Sequence, residues 1–588
     1  MLSPSAVAPP APPAAGAPGP AAAGGGAAQD AGDRPWLASY PPGMPADIDA
    51  GRYRSLVALI EESFRENAGR VAYHFMGRAV RYAEADRASL RLAAYFQSLG
   101  LQKGDRVALM MPNVPQYPVA VAAALRAGLV VVNVNPLYTP RELQHQLHDS
   151  GAQAIVLLEN FGATLAACIG ATAVRHVVLC ALGDMLGFWK GLLVDAVVRR
   201  VKKLVPPFEL PGAVRFGEAL RRGARARFAP PDIGPDDLAL LQYTGGTTGV
   251  AKGAMLLHRN LVANTLQAAA WYAPAMRKVP PGAQSVAVCI LPLYHIFAFN
   301  INMMLGLRNG GAMIMIPNPR DLDAVLAELR RHTFHVFTAV NTLFNGLLRH
   351  KDFGTVAWKH VVLSGGGGSA VQAPVAQAWL ERTGCPIVEG YGLSETSPVV
   401  SCNPTDSDAF SATIGLPLPS TRVALLDDDG KRVPPGEPGE IAVHGPQVMA
   451  GYWQQPEETA KAMTADGYFR TGDIGTMDAR GYFRIVDRKK DMILVSGFNV
   501  YPNEIEDVAA GCPGVRECAV VGVPDGKTGE AVKLVVVRQD PALTAQQVLD
   551  FCKDHLTGYK RPRHVEFRES LPKTPIGKVL RRALREPG

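Results

Sequence analysis

The sequence predicts an α/β protein: a large, multi-subdomain N-terminal domain with parallel sheets plus a β-rich subdomain, followed by a small α+β C-terminal domain. Three observations lead there. The chain has 588 residues, 47% hydrophobic and 19% charged, and single cores stop growing at about 250–300 residues, so more than one core is required. Short, continuously apolar runs alternate with helix-length amphipathic stretches, which is the pattern of strands buried on both faces. Late in the chain this rhythm gives way to hairpins, and the final stretch reads as a separate small unit.

Residues 1–35 are almost entirely Ala, Pro and Gly, as in Pro9-Pro10-Ala11-Pro12-Pro13 and Gly24-Gly25-Gly26. Such a segment has too little apolar surface to offset its ordering entropy, and it is expected to be a disordered extension. The runs Arg106-Val107-Ala108-Leu109-Met110-Met111, Leu129-Val130-Val131-Val132 and Ala154-Ile155-Val156-Leu157-Leu158 follow as strands. Val286–Leu291 and Ala312–Ile316 are of the same kind. Hairpin turns are marked by Asp429-Gly430, Pro435-Gly436, Asp466-Gly467 and Arg480-Gly481. Strands near Cys518–Val523 and Val532–Val537 belong to the last unit. The expected divisions are therefore 1–35, 36–487 and 488–588.

The segment Leu192–Val205 stands apart. On a helical wheel Leu193, Val194, Val197, Val198, Val201, Leu204 and Val205 fall on one side, with Arg199, Arg200, Lys202 and Lys203 on the other. It is either a surface helix docked on the core or a basic amphipathic helix lying on the inner membrane surface.

The formal net charge is +7, from 60 basic and 53 acidic residues, so nothing concentrates basic charge as a nucleic-acid binder does. Eight scattered cysteines form no CxxC pair, which argues against a zinc site and for free thiols in a reducing compartment. No secretory signal and no apolar run of about 18 or more residues is present, so the expected location is cytoplasmic, with peripheral membrane contact as the alternative.

The strongest chemical motif is Thr244-Gly245-Gly246-Thr247-Thr248-Gly249-Val250-Ala251-Lys252, reached from the strand-like Leu240-Leu241-Gln242-Tyr243. Glycines let backbone N–H groups approach phosphate oxygens, hydroxyls add donors, and Lys252 offsets charge. Ala251 breaks the GxxxxGK[ST] spacing, so this is not a Walker loop.

With this loop the chain resembles the adenylate-forming superfamily of acyl-CoA synthetases, peptide-synthetase adenylation domains and firefly-type luciferases. The likeness covers essentially everything after residue 35, and it is nearest to bacterial long-chain-fatty-acid–CoA ligases. Asn133-Val134-Asn135-Pro136-Leu137-Tyr138-Thr139-Pro140 and Asp487-Arg488-Lys489-Lys490-Asp491-Met492-Ile493 carry that closer likeness.

The resemblance implies roles for further residues. In Glu389-Gly390-Tyr391-Gly392-Leu393-Ser394-Glu395-Thr396, Tyr391 would stack on adenine and Ser394 contact the α-phosphate. Glu395 would hold Mg²⁺ with the Thr244 hydroxyl, and hard oxygen ligands suit that ion. Ser364-Gly365-Gly366-Gly367-Gly368 resembles the adenine-side glycine loop, departing from relatives at Gly365 and Ser369. Asp473, after Thr471-Gly472, would grip both ribose hydroxyls, with Arg488 beside it. Lys578 would bridge the substrate carboxylate and α-phosphate, and His295 would stand on the carboxylate side. Phe299 matches an aromatic gate of the fatty-acid tunnel. The C-terminal domain would be mobile, pivoting at Lys490 and alternately presenting Lys578 and the strand after Gly497.

The expected activity is ATP-dependent ligation of a long-chain fatty acid to coenzyme A through acyl-AMP, releasing AMP and pyrophosphate. A homodimer is compatible with this. Rivals are a ligase for an aryl or medium-chain acid, an adenylation module (disfavoured because no carrier domain follows), and a non-catalytic acyl-binding membrane protein.

Overall fold

The computed structural model describes residues 34–244, 251–496, 498–574 and 577–585. Most of the expected extension 1–35 lies outside them, as do Gly245, Gly246, Thr247, Thr248, Gly249 and Gly497. Arg34, assigned to that extension, instead has a buried guanidinium paired with Asp47 at 2.8 Å, beside a fully buried Trp36.

Two sheets dominate the N-terminal domain. The seven-stranded sheet runs, edge to edge, through Val214–Arg215, His176–Cys180, Ala154–Leu158, Arg106–Met110, Val130–Asn133, Leu238–Thr244 and Lys252–Leu257. All its pairings are parallel except the last, where Leu238–Thr244 and Lys252–Leu257 form a hairpin. The nine-stranded sheet has six parallel strands at its centre, from Ile387–Gly392 through Leu363–Gly366, Val336–Ala339, Val286–Cys289 and Ala312–Met315 to Val71–Phe75. Antiparallel strands close both its edges.

The central strands are buried along their whole length, as Ala154–Leu158 and Ala312–Met315 show. Helices cover both faces, so a strand there has no solvent side to reward polar residues. One continuous core unites the two sheets; it takes in Leu109, Val131, Val156, Leu240, Leu291 and Met313. A second core stacks Phe337, Phe344, Phe353, Trp358 and Trp379.

The β-rich subdomain is a four-stranded antiparallel sheet: Arg422–Leu426, Gly439–His444, Phe469–Met477 and Phe483–Arg488. The small C-terminal domain has its own core, in which Pro502–Ala510 and Ala545–His555 pack on a five-stranded sheet centred on Val515–Asp525 and Gly529–Arg538. All eight cysteines are free and buried. No helix among the described residues is long and apolar enough to cross a membrane.

The segment after Leu186 departs from the wheel drawn for it. The helix Phe188–Ala196 and the wider turn Val197–Val201 turn only Gly191 and Val198 fully inward. Leu192, Leu193, Val201 and Leu204 are exposed instead of docked. Close approach explains it: a Cβ on Gly191 would lie 2.5 Å from the carbonyl oxygen of Gly183. The helix therefore rests on the body through a glycine, and its larger side chains are left outside.

Candidate active site

The site forms where the C-terminal domain meets the N-terminal one. Ile387–Gly392 carries Glu389, Gly390, Tyr391 and Gly392, and runs on into the single turn Ser394–Thr396. Asp473 and Arg488 face each other in register on neighbouring antiparallel strands. The Tyr391 hydroxyl donates to Asp473 Oδ2 at 2.7 Å, and Arg488 Nε lies 3.0 Å from Oδ1. Burial, reinforced by the Asp473 charge, pushes the Tyr391 phenol well above its usual range, so it stays a donor.

Lys578 joins this group from the far end of the chain. Its segment makes a tight turn: Gly577 N donates to Thr574 O at 2.9 Å, and Lys578 N to the Thr574 hydroxyl at 3.0 Å. Gly577 adopts φ +85°, and a Cβ there would stand 2.7 Å from Thr342 Oγ1. Only glycine satisfies that backbone and that contact together. The turn thus seats Lys578 against the N-terminal domain. Burial, then the Arg488 charge, lower its ammonium to about 8, with Asp473 opposing. Lys490 is shifted down for similar reasons, burial first and Arg488 next. His295 is lowered to about 4 by burial, helped by Lys578. It is therefore neutral near pH 7, and its Nδ1 accepts from Phe297 N at 3.3 Å.

A second group centres on Glu395. The turn Ser394–Thr396 packs against both strands that flank the Gly/Thr loop, where Thr244 and Lys252 are paired in register. Glu395 is buried and accepts from the Tyr452 hydroxyl at 2.9 Å. Burial raises its pKa, and among the described residues no basic side chain forms an ion pair with it. A buried carboxylate left uncompensated in this way suits a bound cation. Lys252 pairs with Glu458 on the helix Pro456–Ala462, and its ammonium lies 5.3 Å over the Tyr452 ring.

The glycine loop follows the strand Leu363–Gly366. A Cβ on Gly366 would meet methyl carbons of Ile387 and Val371 at 2.8 Å, and one on Gly367 would meet the Phe297 ring at 3.0 Å. Glu389 closes the same corner: its carboxylate accepts from Val371 N at 2.8 Å, and burial pushes it up to about 8. Phe299 is not gathered with these groups; it is buried in the main core, one turn after His295.

Sequence reasoning missed Tyr452, Glu458 and Arg581. Nothing in Gly451-Tyr452-Trp453 announces a partner for Glu395, and Arg581 reads as one basic residue of a solvated tail. In the fold its guanidinium reaches Glu506 Oε2 at 2.8 Å, Asn503 Oδ1 at 2.5 Å, Asp491 Oδ2 at 3.4 Å and Asp487 Oδ1 at 3.5 Å. Asp487 lies next to the end of the last strand of the β-rich subdomain, Phe483–Arg488, and also accepts from Asn503 N at 2.8 Å. Arg581 therefore ties the Lys578 segment to both sides of Lys490.

Two lobes, with an aspartate–arginine pair, a buried acidic site and a desolvated lysine at their junction, define a class of enzymes that bind a nucleotide between domains. The comparisons agree. The sequence matches the family model of AMP-binding enzymes over residues 60–453, and that of the AMP-binding enzyme C-terminal domain over 504–578. It is 54% identical to the long-chain-fatty-acid–CoA ligase of Escherichia coli O6:H1 over 94% of this chain and 98% of that protein. Identity and coverage are the same for the ligase of that name from Salmonella typhimurium. Among solved structures, ATP-bound MatB from Rhodopseudomonas palustris superposes with a TM-score of 0.74 at 32% identity, over 90% of this chain and 98% of that one. The chain belongs to the AMP-binding enzyme family, within the adenylate-forming superfamily.

Arg581→Ala should lower stability by about 3–5 kcal/mol near neutral pH, because it strands buried carboxylates. Asp487 already sits at about 6, raised by burial against the pull of Arg581. A carboxyl raised in the folded state favours folding at low pH and loses that advantage as pH rises through its folded pKa. Without Arg581 the Asp487 carboxyl rises above about 6, so the deficit of the variant should shrink as pH falls from 8 toward about 6, which calorimetry from pH 5 to 8 will read. A deficit independent of pH would contradict the assignment.

Proposed function

We infer that the chain is an ATP-dependent long-chain-fatty-acid–CoA ligase working through an acyl-AMP intermediate. The observation that carries this reading is the convergence of Lys578, Arg488, Asp473 and His295 at the domain junction. The identity to curated ligases over nearly the whole chain supports the substrate class.

The fatty carboxylate attacks the α-phosphorus of ATP and expels pyrophosphate; the thiol of coenzyme A then attacks the acyl carbonyl and expels AMP. No protein nucleophile is needed. Tyr391 offers a ring face to adenine, with Gly366, Glu389, Gly390 and Gly392 shaping that pocket. Asp473, already fixed by Arg488, accepts from the ribose hydroxyls. Thr244, Lys252 and Ser394, with residues 245–249 of the loop, receive the phosphates. A polyphosphate must draw Lys252 away from Glu458. Mg²⁺ would be held by Glu395 and the Thr244 hydroxyl, and when bound it neutralises phosphate charge. Tyr452 fixes the Glu395 carboxylate.

Lys578 supplies the positive charge that meets the attacking carboxylate and the α-phosphate, an electrostatic contribution that a preorganised cation makes best. Neutral His295 lines the carboxylate side without adding repulsion to Lys578. Phe299, one turn on, is assigned to gating the acyl tunnel. Between the two steps residues 488–588 swing about Lys490 relative to 36–487, replacing Lys578 with the strand after Gly497. Contact with an anionic membrane surface belongs to the same reading, since long-chain acids partition into lipid.

Four measurements test this. Mixing the protein with palmitate, ATP and coenzyme A should release AMP only when all three are present; AMP release without coenzyme A at the same turnover would defeat the ligase reading. Lys578→Ala should abolish palmitate-dependent pyrophosphate exchange while sparing thioester formation from supplied palmitoyl-AMP. With Lys578 poised at about 8, kcat/KM of the adenylating step should fall as pH rises past that value and the ammonium is lost. The thioester step should lack that limb. Tyr452→Phe removes one donor to Glu395 and should cost roughly ten- to a hundredfold in kcat/KM, from about 1.5–3 kcal/mol, with raised magnesium restoring part of it. An unchanged magnesium dependence would detach Tyr452 from the metal site.

A further inference from the structure

We propose that Phe188–Leu204 is a docking face for a lipid bilayer with anionic headgroups, resting on the reading that the substrate is a long-chain fatty acid. Of the ten large apolar side chains exposed among the described residues, six lie here: Phe188, Trp189, Leu192, Leu193, Val201 and Leu204. Phe188 and Trp189 are 72% and 80% exposed. A clustered apolar surface of this kind marks a binding site, where scattered single residues would not.

The face is held out by the fold. Gly191 sits in contact with Gly183, and Gly183 N donates to Asp195 Oδ1 at 2.8 Å. Arg199 is engaged from below, its guanidinium making paired hydrogen bonds to the buried Glu159 at 2.7 and 3.0 Å. Lys190 donates to the carbonyl of Met76, in the turn between Val71–Phe75 and Arg78–Arg81. These polar anchors fix the helix to both large sheets, so the outward direction of the aromatic residues does not depend on a loose loop. Arg199, which the wheel grouped with the solvent-facing cations, is thus structural.

The remaining cations decide the partner. Arg200, Lys202 and Lys203 are exposed, and no ion pair involves them among the described residues. They follow the apolar turns directly, so apolar side chains can enter the acyl boundary while the basic end meets headgroup phosphates. Trp189 at that boundary suits its amphipathic ring. A second copy of the chain fits less well, since a two-fold pairing through this face would oppose one basic turn to another.

The test uses the full-length protein with phosphatidylcholine vesicles, with and without phosphatidylglycerol. The wild type should co-sediment with the anionic vesicles. Trp189→Ser with Leu193→Ser should weaken that binding at least tenfold. Arg200→Gln with Lys202→Gln and Lys203→Gln should do the same, and high salt should mimic it. Both variants should ligate octanoate, which is soluble, at the wild-type rate; this checks folding, and Trp189→Ala alone carries the test should the double variant misfold. Wild-type co-sedimentation in the variants, no binding by the wild type, or a dimer on gel filtration that Trp189→Ser dissolves would each overturn the proposal. Loss of octanoate and palmitate ligation in the wild type, with vesicle binding intact, would fault the function and leave the docking face standing.

Discussion

The position of Lys578 depends on Arg581. The lysine sits on a turn with no helix or strand of its own, and a desolvated ammonium close to Arg488 would move out to water if nothing held it. Arg581, three residues on, is itself nearly buried, and its charge is matched by Glu506, Asp487 and Asp491. A guanidinium with carboxylates on several sides retains its charge where a lone cation would not, and its planar fork fixes direction as well as distance. The arrangement recruits carboxylates from both sides of Lys490, so the proposed swing about Lys490 would break the Arg581–Asp487 contact while keeping those to Asp491 and Glu506.

The same logic runs through the rest of the junction. Lys252 is paired with Glu458, Arg488 with Asp473, and Lys489 with Asp428. Lys252 and Arg488, assigned to phosphate and sugar, are each matched by a carboxylate of the chain, whereas Lys578 forms no ion pair among the described residues. Glu395 alone among the buried acids of the site has a hydroxyl as its side-chain partner instead of a cation. On the proposed reading, a nucleotide with its metal would take Lys252 from Glu458 and supply a cation to Glu395, so little unpaired charge would be left in the interior.

Much of this was legible in the sequence. The parallel strands announced themselves because both faces are buried, so every position is apolar and no competing period confuses the reading. Tyr391, Asp473, Arg488 and Lys578 stood in motifs with fixed order, and the fold brings them to one place. What stayed hidden was contact between distant segments: Tyr452 with Glu395, Glu458 with Lys252, Arg581 with Asp487. No local period encodes a pairing 57 residues apart. The docked alternative for residues 192–205 failed for a related reason, since hydrophobicity alone cannot say which face a glycine contact will turn inward.

That last failure carries physical content. A helix with mixed faces ordinarily docks through its largest apolar residues, because burial of area drives packing. Here Phe188, Trp189, Leu192 and Leu193 remain in water while glycine, the buried Val198 and the pairing of an exposed Arg199 with the buried Glu159 make the attachment. That pair is a poor substitute as a source of stability, since desolvating the Glu159 carboxylate offsets much of its attraction to a guanidinium that stays half in water. A fold that attaches a helix through charge and glycine, and leaves its aromatic residues outside, has kept that apolar surface available to something other than its own core. An enzyme whose acyl substrate dissolves in lipid has a use for it: docking would shorten the path of the acid from bilayer to protein.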